Sequence, residues 1–293
     1  MRFAVFAIFL FFAAAAEADV PRVVVSTAPL HSVVSAVMRG AGESDLLLPA
    51  NVSPHDYRLK PSDMKKLSDA DVVFWNGKML EGFLPKALEA AQATGKSIPV
   101  MQGDGILLLK ARPLRKGAES EETDPHFWLL PDNMGQAALI VAKALSRADS
   151  EHADLYLKNA ERFKERMSAL TKEIKDKFSG LRGDNFLFFH DAFLYFERAC
   201  GLKSLGAVEV GGSSAGAGRL MELRGRMAKA GKTCLFVSPQ FSKNRISVLT
   251  EGLSVKVGEA DPMGVGLNPG ENFYTDLIHN LIQSIYGCLK EIE

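Results

Sequence analysis

Residues 151–178 read EHADLYLKNAERFKERMSALTKEIKDKF, a run without proline or glycine that follows Asp149-Ser150 and stops at Ser179-Gly180. Tyr156, Ala160, Phe163, Met167, Leu170, Ile174 and Phe178 recur three or four apart, with charged residues between them. That spacing predicts one amphipathic helix with a single apolar stripe. At 1.5 Å per residue it would reach roughly 40 Å. Asp149 or Ser150 can cap its first amides, and Lys175 and Lys177 suit the negative end of its dipole. The stripe lasts only about three heptads, with no buried polar position to specify a coiled-coil partner, so it reads as an intramolecular spar in a monomer.

Strand and helix signals alternate on both sides of the spar. Before it, strands are predicted at 22–28, 45–49, 71–76, 97–101 and 106–109; after it, at 185–189, 203–210, 233–238 and 254–258. Runs such as Val23-Val24-Val25 and Val72-Val73-Phe74-Trp75 are continuously apolar, as parallel strands covered on both faces require. The fold class is therefore α/β: two parallel-sheet α/β lobes, residues 19–148 and 181–293, joined by one long linking helix over 149–180. The stretch 110–123 carries many charges and almost no apolar residue, and reads as a mobile, solvated loop.

Residues 1–18 are expected outside that fold. Arg2, the apolar run Phe3 to Ala15 and Ala16-Glu17-Ala18 make a signal peptide cleaved after Ala18, which implies export and a mature protein not embedded in a membrane. Lys+Arg and Asp+Glu both number 35, so no basic field draws nucleic acid. In an oxidising compartment the three cysteines, Cys200, Cys234 and Cys288, permit any one of three pairings.

Of six histidines, His55, His126 and His190 lie in loops near strand ends or at a strand's end, and Asp261 follows the last strand. Ligands of open parallel sheets bind beyond the carboxyl ends of the strands. Facing lobes would bring these side chains to one cleft, and three imidazoles with a carboxylate suit Zn²⁺. A lone loop histidine is ordinarily a surface residue; the joint pattern is what argues for metal. His31 is a lesser candidate, and His152 and His279 read as surface residues.

The wording around these residues is similar to a known family. Ser53-Pro54-His55-Asp56-Tyr57, Asp124-Pro125-His126-Phe127-Trp128, Phe189-His190-Asp191-Ala192-Phe193 and Asp261-Pro262-Met263-Gly264 resemble, in order, the metal-ligand segments of zinc-uptake ABC-transporter solute-binding proteins of the ZnuA type. The resemblance implies a periplasmic protein that captures Zn²⁺ between its lobes and passes it to an ABC permease driven by a cytoplasmic ATPase. It implies His55, His126 and His190 as ligands, Asp261 or a water as the fourth, and a Cys234–Cys288 disulfide. Asp56 and Asp191 adjoin ligands and could accept from imidazole N–H groups. Many relatives carry a histidine-rich loop before the second ligand, whereas 110–123 has no histidine. The other readings are a manganese or other divalent-metal binder, a zinc-dependent hydrolase and an adhesin. No H-E-x-x-H motif supports the hydrolase.

Overall fold

The computed structural model describes residues 20–55, 57–113, 120–181, 183–210, 216–239 and 244–293. The signal peptide expected over 1–18 lies outside these residues, as do Asp56 and most of the glycine-rich stretch 211–218. In chain order the first lobe runs β1 (Val23–Val25), α1 (Ala28–Met38), β2 (Ser44–Leu46), α2 (Pro61–Asp69), β3 (Val72–Trp75), α3 (Leu84–Ala90) and β4 (Ser97–Pro99). A 3-10 turn, Phe127–Leu129, leads into α4 (Pro131–Ala148) and α5 (Ala153–Phe178). The second lobe follows as β5 (Phe186–His190), α6 (Leu194–Cys200), β6 (Ala207–Glu209), α7 (Ala217–Ala230), β7 (Thr233–Val237), α8 (Asn244–Thr250), β8 (Val255–Glu259) and α9 (Phe273–Ile292).

Each lobe holds a four-stranded sheet, ordered β2-β1-β3-β4 and β6-β5-β7-β8, with every pairing parallel. Alternate strand residues face opposite layers. Val24, Val73 and Trp75 pack with α2 and α3, and Leu187, Phe189 and Leu235 with α7 and α8. The opposite faces, including Val23, Val25, Phe186 and Phe188, join a single core shared with α1, α4, α5, α6 and α9. All seven apolar stripe positions of α5 are buried there, so the helix is the floor common to both lobes.

Three expectations change. The helix N-cap is His152, with Asp149 accepting from the His152 amide (3.3 Å) and the Tyr156 hydroxyl (2.7 Å). Asn159 is a buried polar position after all, and its Nδ2 donates to the Val37 and Arg39 carbonyls at the end of α1. The segment 106–109 is not a strand: the Leu107 amide donates to Asn133 Oδ1 and the Leu109 amide to Tyr195 Oη. Side chains of α4 and α6 thus satisfy backbone groups that a sheet ladder would otherwise hold.

Cys234 in β7 and Cys288 in α9 form the disulfide, leaving the buried Cys200 thiol free. The bridge closes a sequence separation of 54 residues. A loop that long is worth about 4 kcal/mol on the chain-entropy model.

Candidate metal centre

Each histidine of the cleft is held by a different element. His55 lies in the connection from β2 to α2, which is fastened at its far end where the Tyr57 hydroxyl and the Lys60 amide both donate to Asp63. His126 stands immediately before the 3-10 turn, its amide donating to Asp124 Oδ1 at 2.9 Å. His190 is the last residue of β5, at the carboxyl edge of the second sheet.

The three rings converge through Nε2. His126 Nε2 lies 3.3 Å from His55 Nε2 and 3.3 Å from His190 Nε2, and the three ligand atoms fall within 4.8 Å of one another. A tetrahedral ion bound at about 2.0–2.1 Å separates its nitrogens by about 3.3 Å. The two spacings from His126 therefore match those around a bound ion.

Burial prepares the rings for that role. The buried His126 imidazole is pushed down to about 3 by desolvation. His190 is also held well below the usual histidine range, by burial and then by the neighbouring charges of His126 and His55. Both are neutral at physiological pH, and neutral imidazole is the form that coordinates metal. Asp124 Oδ1 lies 2.7 Å from His126 Nδ1, so a hydrogen there leaves the Nε2 lone pair facing the cluster. Burial raises the Asp124 carboxyl to about 7, against the pull of the His126 amide and the Arg112 charge.

A family model described as zinc-uptake complex component A, periplasmic (ZnuA), matches residues 23–288. This chain belongs to the ZnuA family. The high-affinity zinc uptake system protein ZnuA of Brucella suis biovar 1 (strain 1330) is 34% identical over 309 residues, covering 92% of each chain. That of Paracoccus denitrificans (strain Pd 1222) is 32% identical, covering 94% of this chain and 93% of the relative. A crystal structure of ZnuA superimposes with a TM-score of 0.77 at 24% identity, over 92% of this chain and 99% of that one. Manganese-bound FpvC from Pseudomonas aeruginosa shares the fold too, with a TM-score of 0.81 at 21% identity, over 94% and 100%.

The other expected residues of this ZnuA-family chain fall as follows. Asp261 stands outside the histidine cluster, its carboxylate accepting from the Met263 and Val265 amides of its own turn. Asp191 does not take up an imidazole: it receives the Arg112 guanidinium at 2.6 Å. His31 is buried with Nε2 3.0 Å from the Ser44 carbonyl, away from the cluster. His152 pairs with Asp149, and His279 with Glu173. Sequence reasoning missed Asp124 as the partner of His126, although a carboxylate two residues before a histidine is a recognisable Asx-turn signal. It also missed Arg112 and Glu197, for which the sequence offers no local signal.

Proposed function

We propose that this protein captures Zn²⁺ in the inter-lobe cleft through Nε2 of His55, His126 and His190, and delivers it to an ABC permease powered by a cytoplasmic ATPase. The convergence of three imidazoles, with His126 Nε2 3.3 Å from both His55 Nε2 and His190 Nε2, carries this reading. An all-imidazole set favours zinc over manganese, which prefers oxygen donors. Asp261 becomes the fourth ligand if its turn releases the carboxylate; otherwise a water fills that position. The protein acts in the periplasm as a monomer, after loss of its first 18 residues. No helix among the described residues is long and apolar enough to cross a membrane.

The work is binding rather than catalysis. Asp124 is engaged by His126 and Asp191 by Arg112, which takes both away from general-base duty on a metal-bound water. Metal analysis of the protein as purified, followed by competitive titration with zinc and manganese, tests the proposal. Stoichiometric zinc that outcompetes manganese, lost in His55→Ala, His126→Ala and His190→Ala, is the expected result. Zinc retention at the wild-type level in all three variants, or hydrolysis of ester or peptide substrates by the zinc-loaded protein, would overturn it.

A further inference from the structure

The described ends of the charged stretch 110–123 are anchored. Its described ends pair as a short antiparallel ribbon: Lys110 bridges Thr123, the Ala111 amide donates to the Glu122 carbonyl, and the Asp124 amide donates to the Leu109 carbonyl. One side chain of the second lobe grips both strands of that stem. The Tyr195 hydroxyl, from α6, accepts from the Leu109 amide and donates to the Asp124 carbonyl, each at 2.9 Å.

Beyond this, Arg112 leaves the ribbon and enters the second lobe. Its Nε donates to Asp191 at 2.6 Å and its NH2 group to Glu197, which is also held by the amide and hydroxyl of Ser204. The Arg112 side chain is 14% exposed, and those of Asp191 and Glu197 3% and 7%. Arginine's planar fork can span two carboxylates in this way, whereas an ammonium makes a point contact. Asp191 directly follows His190, and the ribbon runs straight on through Asp124 to His126.

We infer that Arg112 is a positioning residue: a cross-lobe latch whose insertion between Asp191 and Glu197 holds the His126 segment of the first lobe against the His190 segment of the second, and so slows metal release. Two of the three convergent imidazoles then ride on one clamped unit, while His55 approaches from a separate loop. Breaking the latch leaves the stem, residues 109–112 and 122–124, tied to the second lobe through Tyr195, with the His126 segment held less firmly.

A charge effect and a latch predict opposite signs. Arg112 is a cation beside a cation site, so on electrostatics alone its removal should tighten zinc binding and slow release. The latch requires faster release. This inference rests on zinc being held by the histidine cluster, and wild-type binding checks that separately. The experiment is stopped-flow transfer of zinc from the loaded protein to an excess of chelator, for wild type, Arg112→Ala and Arg112→Lys, with melting temperatures of the metal-free forms. Arg112→Ala leaves two buried carboxylates without their cation and can fail to fold. Arg112→Lys keeps the charge but loses the fork, so it decides the matter on folded protein. Release faster by on the order of tenfold in Arg112→Lys, while its metal-free form still melts cooperatively, is expected from a lost positioning contact. Release at or below the wild-type rate in Arg112→Lys overturns the latch while leaving zinc capture intact.

Discussion

Asp124 and His126 are bound to each other twice: one carboxylate oxygen, Oδ1, faces both the His126 backbone amide (2.9 Å) and the ring Nδ1 (2.7 Å). The first contact fixes where the ring starts, and the second fixes which way it points. Asp124→Asn keeps the shape but presents a weaker acceptor. Zinc affinity is expected to fall about 10–100-fold, the usual cost of losing a carboxylate behind a metal-bound histidine. Competitive titration against a chromogenic chelator measures it, and an unchanged affinity would mean that ring packing against Trp128, with centroids 5.2 Å apart, orients His126 unaided.

Asp261 is held by amides of its own turn, outside the imidazole cluster. Asp261→Ala should therefore weaken zinc far less than any of the three histidine changes, because water can take the fourth position. A loss as large as that of His190→Ala would show that the turn opens and the carboxylate binds the ion directly.

Metal-free protein should lose stability on acidification. The fold holds His190 neutral by burial and by the charges of His126 and His55, whereas the unfolded chain takes up that proton near 6.5. The folded pKa is the lower one, so the contribution is complete above about pH 6.5 and is lost below it, at up to about 1.4 kcal/mol per pH unit. The Asp124–His126 pair adds little slope: around pH 5 it carries one proton whether folded, on the carboxyl, or unfolded, on the imidazole. Urea unfolding of the metal-free protein between about pH 7.5 and 5.5 reads the slope. His190→Gln should flatten it; an identical slope would assign the effect to another group.

Asn159 closes the end of α1 from the second turn of the linking helix, donating to the Val37 and Arg39 carbonyls at 3.0 and 2.8 Å. Those carbonyls belong to the last turn of a helix and have no partner within it. Asn159→Ala is expected to destabilise the fold by about 1–3 kcal/mol, the cost of buried acceptors left unmatched. Zinc affinity should stay as it was, since the substitution lies on the floor of the molecule. A variant as stable as wild type would show that water replaces the amide.

The two lobes share one core and are tied across the cleft. Trp128 Nε1 donates to the Pro262 carbonyl, the Tyr274 hydroxyl donates to the Trp128 carbonyl, and the Tyr274 amide donates to Ser32 Oγ. A continuous helix packed on both sheets resists wide hinge motion. Small-angle scattering of metal-free and zinc-loaded protein should give overlapping radii of gyration, whereas a large contraction on loading would reveal a clamshell.

Much of this architecture is a matter of period. The seven apolar positions of residues 151–178 determine a helix buried along one face, and continuous apolar runs such as Val72 to Trp75 determine buried parallel strands, because burial periodicity is a local property of the chain. The histidines and their flanking residues pointed to a metal by wording alone. Tertiary structure decided the rest. His126 meets His55 across 71 residues and His190 across 64, and no local rule sets a 3.3 Å spacing between side chains so far apart in sequence. Packing also chose the carboxylates: Asp191, adjacent to a histidine, turned to Arg112, while Asp124 took the imidazole. A buried charge goes to whichever partner the folded surroundings bring within reach.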